Sequence, residues 1–260
     1  MITSIHNPRV QMIRKLQAQA KVRQAEQAFV IEGVRLAEEA LGAGWEARQV
    51  LYTAELDQRG QAAVEAFTAR GVPGEQVSQA VMKAVSDTET PQGILVVLSL
   101  QPSPIPAVSD FTLILDGVRD PGNLGTILRT AAAAGVRAVL LAPGSADAFA
   151  PKVVRAGMGA HFRLPVQGMS WEAIKRFLSA QAGKLRVYLA DSAAGIPYTQ
   201  ADFRSPLALI VGGEAGGAGS EAVSLADEKV HIPMPGGSES LNAAVAASIL
   251  LFEAVRQRGK

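Results

Sequence analysis

Short apolar runs alternate along the chain with stretches in which apolar residues recur at helical spacing. The runs predict buried strands and the amphipathic stretches predict helices. In the second half the strands are continuously apolar, which is typical of a mostly parallel sheet covered by helices on both faces. The sequence therefore predicts an α/β fold. The predicted strands lie at 29–32, 49–53, 92–100, 112–116, 138–141, 162–166, 186–190, 207–211 and 230–232, and the predicted helices at 9–23, 34–41, 55–70, 81–85, 124–134, 151–155, 171–182 and 241–258.

A proline-rich segment divides this pattern into two halves. Residues 101–110 contain Pro102, Pro104 and Pro106, so they cannot form a helix and are unfavourable in a strand. The sequence therefore predicts a small α/β domain over 1–100, a linker over 101–110 and a second domain over 111–260.

The last strand, at 230–232, is followed by a loop rich in proline and glycine and then by a long helix. Ser240 stands where an N-cap is expected, since its hydroxyl can accept a backbone N–H. Alanines leave the start of the helix small, and such a loop can build a pocket from main-chain amides. An ordinary strand–loop–helix corner is the alternative. One apolar stripe follows along the helix, formed by Leu241, Val245, Ile249, Phe252 and Val255.

A second motif starts where the strand 112–116 ends in Asp116. A polar turn follows, and then a helix with Asn123 near its start and Arg129 just under two turns further on. Arg129 lies between Leu128 and a run of alanines, which give it no partner of opposite charge. It therefore predicts an anion-binding site, because a guanidinium fork fits phosphate. A buried ion pair with Asp116 or Glu214 is the alternative.

A third motif, over 210–219, contains five glycines and one acid directly after a buried strand. Such a run predicts a backbone that passes very close to another part of the molecule or to a ligand. A dinucleotide fingerprint is the rival interpretation. The glycine spacing places it too far beyond the end of the strand, and the motif has no Walker lysine.

Together, these three motifs resemble those of the SpoU-type RNA ribose 2′-O-methyltransferases of the SPOUT superfamily. The first half also resembles the RNA-binding extension of that family, at 7–10, 29–33 and 87–93. The resemblance implies a deep trefoil knot in the second domain, S-adenosylmethionine as the cofactor, and a homodimer. It implies catalytic positions at Asn123, Arg129, Glu214, Ser240 and Asn242, and a cofactor contacted at Ala190, Gly212, Gly213, Ile232 and Leu241.

The implied reaction is direct methyl transfer from a sulfonium to a ribose 2′-hydroxyl, without a covalent intermediate. A guanidinium is normally charged, so Arg129 is interpreted as a clamp on the substrate phosphate and hydroxyl rather than as a base. Asn123, Ser240 and Asn242 are expected to orient the ribose and the loops. Glu214 is expected to order the glycine-rich loop.

Composition narrows the chemistry further. The chain has no cysteine, which excludes disulfides and thiolate nucleophiles, and the scattered His6, His161 and His231 predict no metal site. No apolar run reaches the ~18–20 residues of a membrane span, and the first residues do not resemble a signal peptide. A cytoplasmic protein is therefore expected.

The net charge of +1 means that any surface for nucleic acid must come from local patterning. Residues 9–23 have no acid and carry Arg9, Arg14, Lys15, Lys21 and Arg23. This basic helix is predicted to bind RNA phosphates, with a solvated helix as the alternative. It favours ribosomal RNA, for ribosome maturation or antibiotic resistance, over transfer RNA. A catalytically inactive RNA-binding protein is the remaining alternative.

Overall fold

The computed structural model describes residues 1–101, 103–181, 185–214 and 216–259. Pro102 of the predicted linker, Ala182 at the predicted end of a helix and Ala215 of the glycine-rich motif lie outside the described residues. The chain forms two compact units. The first unit comprises Met1–Gln101 and Asp147–Phe162, and the second comprises Pro102–Ala146 and Arg163–Lys260.

The secondary structure alternates as the apolar pattern predicts. The described helices are α1 (Pro8–Ala18), α2 (Ala20–Glu26), α3 (Val34–Gly42), α4 (Gln58–Ala69), α5 (Gln79–Val85), α6 (Pro121–Ala133), α7 (Pro151–Gly157), α8 (Trp171–Ala180), α9 (Ser220–Leu225) and α10 (Ala243–Gln257). The described strands are β1 (Ala28–Glu32), β2 (Ala47–Tyr52), β3 (Gly74–Gln76), β4 (Ile94–Ser99), β5 (Phe111–Asp116), β6 (Ala138–Leu141), β7 (Val166–Gly168), β8 (Arg186–Ala190), β9 (Ile196–Pro197), β10 (Leu207–Gly212) and β11 (Glu228–His231).

The first unit is built on a sheet with strand order β1-β4-β2-β3. Strand β4 is buried along its whole length, and its side chains alternate between two apolar clusters. Ile94, Val96 and Leu98 pack with residues of α3 and α4. Leu95 and Val97 pack with residues of α1 and α5. Residues 147–162, which lie within the sequence range 111–260, pack in this unit through α7.

The predicted basic helix over 9–23 is wrong in two respects. The extended backbone of Gln19 divides it into α1 and α2. Arg23 is buried, and its guanidinium donates to the Asp147 carboxylate and to the carbonyls of Leu16 and Gln17. Because these partners occupy it, Arg23 does not belong to an exposed basic face.

The other four basic residues remain at the surface. Arg14, Lys15 and Lys21 are exposed. Arg9 is exposed as well and forms an ion pair with Glu75. These four residues define what we call the basic face of the first unit.

His161 is buried in the first unit beside Phe149. Its Nε2 lies 2.7 Å from the carbonyl oxygen of Ala148, and its Nδ1 has no hydrogen-bond partner among the described residues. Burial lowers the pKa of His161 from 6.5 to about 4, although the carbonyl of Ala148 and the charge of Asp147 act in the opposite direction. The ring is therefore a neutral core group.

We expect this histidine to make stability depend on pH. The unfolded chain takes up the proton near pH 6.5 and the folded chain only near pH 4, so the unfolded state is favoured as pH falls between these values. The contribution lost is about 3 kcal/mol. The free energy of unfolding, measured with denaturant at pH 7 and at pH 4.5, should differ less between the two pH values in His161→Gln than in wild type. For His6→Gln, whose ring is exposed, this difference should equal that of wild type. Equal differences in wild type and His161→Gln would contradict the assignment.

The second unit is built on a seven-stranded sheet in the order β7-β6-β5-β10-β8-β11-β9. Every pair of neighbouring strands is parallel. Buried residues of β5, β6, β8 and β10 pack with Ile174 of α8 and Ala222 of α9. This sheet flanked by helices confirms the predicted fold class. No described helix combines the length and apolar character that crossing a membrane requires.

Local chemistry corrects two predicted boundaries. Helix α6 starts at Pro121, before the predicted Leu124, because Asp120 Oδ1 caps the N–H of Asn123 and proline suits the first helical position. The predicted strand at 162–166 is wrong, since Phe162 ends a short 3₁₀ turn and β7 starts only at Val166. Phe162 packs instead edge-to-face on Trp45, with ring centroids 5.3 Å apart.

The start and orientation of the last helix also differ from prediction. Asn242, not Ser240, is the N-cap of α10, and its Oδ1 accepts the N–H groups of Ala244 and Val245. Leu241 precedes the helix and is partly exposed, and Val245 and Phe252 are 48% exposed. Four alanines lie on the buried face and let that part of the helix lie close to its neighbours. The buried face consists of Ala243, Ala244, Ala247, Leu250, Leu251, Glu253 and Ala254.

Candidate cofactor pocket and substrate site

A cavity of about 680 Å³ lies in the second unit at the carboxyl ends of β8, β10 and β11. Parallel sheets bind ligands at this edge, and the volume is in the range of ligand pockets. Backbone from several loops forms much of its wall. All five positions expected to contact a cofactor line it: Ala190, Gly212, Gly213, Ile232 and Leu241.

Two of these positions require glycine for steric reasons. A Cβ on Gly213 would lie 2.0 Å from the carbonyl oxygen of Gly117, and one on Gly212 would lie 2.4 Å from the backbone nitrogen of Ala218. Real side chains do not approach backbone this closely. The close backbone approach predicted from the glycine-rich motif is therefore confirmed, and the neighbour is the chain itself.

Asp116, at the end of β5 in the first motif, holds this close approach in place. Its backbone carbonyl accepts the N–H of Gly213 at 2.8 Å. Its Oδ2 accepts the N–H of Gly219 at 2.7 Å. The turn after β5 and the loop after β10 are thereby held together on one side of the cavity.

A chain of polar side chains connects all three motifs. Asn123 Nδ2 donates to Glu214 Oε1 at 2.6 Å, and Asn242 Nδ2 donates to Asn123 Oδ1 at 2.9 Å. Since Asn242 also caps α10, this chain fixes the start of that helix against α6. Glu214, Asn242 and Ser240 line the cavity, and Asn123 adjoins it through its two partners.

The environment of Glu214 decides which chemistry it can perform. Burial raises the pKa of its carboxyl, but hydrogen bonds from the Asn123 amide and from backbone N–H groups outweigh burial and hold the pKa below its ordinary value. Glu214 is therefore ionised at neutral pH and is a weak base. It is suited to accept hydrogen bonds and to order the surrounding loops.

Arg129 is set apart from the cavity wall. It is exposed on α6, about 9 Å along the helix axis from Asn123. It forms no hydrogen bond or ion pair with any described residue, so the alternative of an ion pair with Asp116 or Glu214 finds no support. Its guanidinium is free to bind an anion.

Sequence reasoning missed Asp191, which follows Ala190 at the end of β8 and lines the cavity. The N–H of Ala193 and the Lys229 ammonium hold the pKa of Asp191 below its usual range. The cavity therefore has a second ionised carboxylate at its wall. The sequence signal that could have identified Asp191 as a site residue is its position directly after a predicted parallel strand.

Comparison with known proteins agrees with this geometry. A family model described as the SpoU rRNA Methylase family matches residues 110–252. The chain belongs to this family. A second model, described as the MRM3-like substrate binding domain, matches residues 7–96. Both predicted resemblances are thereby confirmed.

Similar proteins span nearly the whole chain. RlmP of Bacillus subtilis, a 23S rRNA (guanosine(2553)-2′-O)-methyltransferase, is 36% identical over 251 residues, covering 96% of this chain and 97% of that protein. An AdoMet-bound rRNA methyltransferase from Sinorhizobium meliloti has a TM-score of 0.87 and 34% identity, covering 98% of this chain and 97% of the other. The SpoU methyltransferase AviRb from Streptomyces viridochromogenes, in complex with AdoMet, has a TM-score of 0.89 and 29% identity, covering 98% and 99%.

Proposed function

We propose that this SpoU family protein transfers a methyl group from S-adenosylmethionine to a ribose 2′-hydroxyl of structured ribosomal RNA. The observation that carries the proposal is the cavity at the carboxyl ends of β8, β10 and β11. Every expected cofactor position lines it, and the Glu214–Asn123–Asn242 chain adjoins it. Full-length similarity to ribosomal RNA 2′-O-methyltransferases supports both the reaction and the substrate class.

The residues of the cavity fit this cofactor. S-adenosylmethionine supplies, when bound, an electrophilic methyl group on a sulfonium. Gly212 and Gly213 leave their backbone uncovered, so the main chain would hold the polar groups of the cofactor. Ile232, Met234 and Leu241 would contact its adenine. These three apolar side chains are suited to a flat, uncharged ring.

On the substrate side, Arg129 would clamp an RNA phosphate next to the reacting ribose with its guanidinium fork. Asn123, Ser240 and Asn242 would orient the ribose and the loops by hydrogen bonds. Glu214 would hold the glycine-rich loop and not take the proton of the hydroxyl, because its pKa is lowered.

The first unit would supply RNA affinity through its basic face, the exposed Arg9, Arg14, Lys15 and Lys21. Arg23 is left out because it is buried. The match of 7–96 to a substrate-binding domain supports this role. A protein that modifies bacterial-type ribosomal RNA would act in the cytoplasm.

The chain would act as a homodimer with a trefoil knot around the cavity. The exposed Val245 and Phe252 on α10 support a self-association surface, since large apolar side chains on one helix face seldom stay in water. The resemblance of residues 110–252 to the SpoU family supports the knot. We expect Phe252→Glu to shift the sedimenting species from dimer to monomer, whereas Val108→Glu, at an exposed position outside α10, should not. A wild-type monomer at micromolar concentration would contradict the dimer.

The direct test is transfer of labelled methyl groups from S-adenosylmethionine to in vitro transcribed 23S ribosomal RNA and to transfer RNA. We expect label at a 2′-hydroxyl of the ribosomal RNA, mapped by its resistance to alkaline cleavage. Label confined to transfer RNA would overturn the substrate class. Calorimetry that shows no cofactor binding would overturn the reaction.

A further inference from the structure

The first unit contains a second cavity, of about 240 Å³, at the N-terminus of α3. We call it the α3 cleft. It lies among the end of β1, the loop before β4 and the end of α7, and all its lining residues belong to the first unit. The reaction proposed above does not use it.

Glu32 holds one wall of the α3 cleft in place by accepting hydrogen bonds from the loop before β4. Its Oε1 accepts the hydroxyls of Ser86 and Thr88 at 2.5 and 2.7 Å, and its Oε2 accepts the N–H of Asp87 at 3.1 Å. These bonds fix the loop that presents Thr88 and Thr90 to the cleft. The polar groups of this wall are therefore held in place without a ligand.

Gln92, which is distant from α3 in sequence, caps the N-terminus of this helix. Gly33 has no side chain to cap the helix, and Gln92 Oε1 instead accepts the N–H of Val34 at 3.1 Å. This bond fixes the orientation of the amide, so Gln92 Nε2 is left as a donor with no partner among the described residues. An unpaired amide donor on the wall of a cavity is suited to a carbonyl or ring nitrogen of a base edge.

Two guanidinium groups stand at the α3 cleft. Arg35 is exposed and makes no hydrogen bond or ion pair with a described residue. Arg155 Nη1 lies 2.6 Å from Asp87 Oδ2, in an ion pair without hydrogen-bond geometry, and its other N–H groups are unpaired among the described residues. Such donors are suited to the phosphates on either side of a nucleotide.

The remaining surface is apolar. Leu36 and Met158 line the α3 cleft. Met158 ends α7 in the left-handed conformation, with φ 48°, which costs a non-glycine residue roughly 1 kcal/mol. A thioether at this position offers a flexible, polarisable contact for a ring.

We propose that the α3 cleft binds one unpaired nucleotide of the substrate RNA. Its base would lie against Met158 and Leu36 with its edge on Gln92 and Thr90, and Arg35 and Arg155 would bind the adjoining phosphates. The volume accommodates a single base rather than a larger ligand. The inference rests on the proposed function for its substrate class. It assigns recognition of a second nucleotide, away from the methylated one, to the first unit.

The test compares Arg35→Ala, Met158→Gly and the control Arg59→Ala in the full-length protein, with in vitro transcribed 23S ribosomal RNA as the probe. Arg59→Ala removes the same charge from the same unit and breaks only an exposed ion pair with Glu38. We expect Arg35→Ala, which loses a charge-assisted contact, and Met158→Gly, which loses the apolar contact with the base, each to raise the KM for RNA roughly 10-fold. The kcat and the cofactor Kd should stay the same. Met158→Gly should melt no lower than wild type, because glycine adopts the backbone conformation without strain.

A second measurement keeps this inference separate from the proposed function. RNA containing 4-thiouridine should crosslink to peptides that contain 88–92 or 155–158. Equal KM increases for Arg35→Ala and Arg59→Ala, or crosslinks confined to the second unit, would overturn the α3 cleft as a site. A wild-type protein that crosslinks there but methylates no RNA would overturn the proposed function alone.

Discussion

Replacing Arg129 by alanine is expected to lower kcat by ~1,000-fold or more while leaving the Kd for S-adenosylmethionine within about twofold of wild type. Arg129 does not line the cavity, so its loss should not change cofactor contacts. It also has no partner among the described residues, and alanine favours a helix, so α6 should stay folded. The side chain is thus available for the RNA phosphate and the reacting hydroxyl alone. Single-turnover methylation and isothermal calorimetry measure the two quantities separately.

Two further variants test whether the effect is specific to the guanidinium of Arg129. Arg129→Lys keeps the charge but loses the planar fork, so its kcat should fall between those of wild type and alanine. Arg137→Ala removes the same charge from the second unit but breaks only an exposed pair with Asp110, and should keep nearly full activity. If Arg129→Ala loses cofactor binding together with turnover, Arg129 is part of the cofactor site and the division of roles is wrong.

The alternation of apolar runs predicted the α/β class and most of the strands and helices, but not that residues 147–162 pack in the first unit. Strand β10 illustrates why, since it lies between β5 and β8 and is buried on both faces, which leaves a continuous apolar run in the sequence. The glycine-rich motif predicted a close backbone approach because only glycine allows one, whichever part of the chain provides the neighbour. The strand could be predicted because its signal lies in neighbouring residues of the chain. The close approach could be predicted because glycine alone tolerates it.

Other features depend on partners distant in sequence, which periodicity does not reveal. Arg23 follows the basic residues of α1 in sequence, yet the carboxylate of Asp147 and two carbonyls bury it. In α10 the predicted apolar stripe included Val245 and Phe252, which are exposed, whereas the buried face combines four alanines with Leu250, Leu251 and Glu253. The N-cap moved from Ser240 to Asn242 because only Asn242 also reaches Asn123. In each case a tertiary contact decided between two locally acceptable choices.

Replacing Gly213 by alanine is expected to destabilise the protein by about 2–4 kcal/mol. The new Cβ would lie 2.0 Å from the carbonyl oxygen of Gly117, and a backbone atom cannot move aside as a flexible side chain does. The loop after β10 must shift, and with it the hydrogen bond from the Gly213 N–H to the Asp116 carbonyl. Because this loop carries Glu214 and part of the cavity wall, cofactor affinity should fall on the order of 100-fold.

Gly216→Ala provides the matched control for this prediction. Gly216 lines the same cavity, yet a Cβ there would meet nothing within 4 Å, and neither glycine has a positive φ. The two substitutions therefore add the same methyl group to the same loop and differ only in what it would contact. We expect urea unfolding and calorimetry to separate them clearly, with Gly216→Ala close to wild type in both. Equal effects would mean that the whole loop is sensitive to any added methyl group. Near-wild-type behaviour of Gly213→Ala would mean that the contact between Gly213 and Gly117 is looser than its geometry indicates.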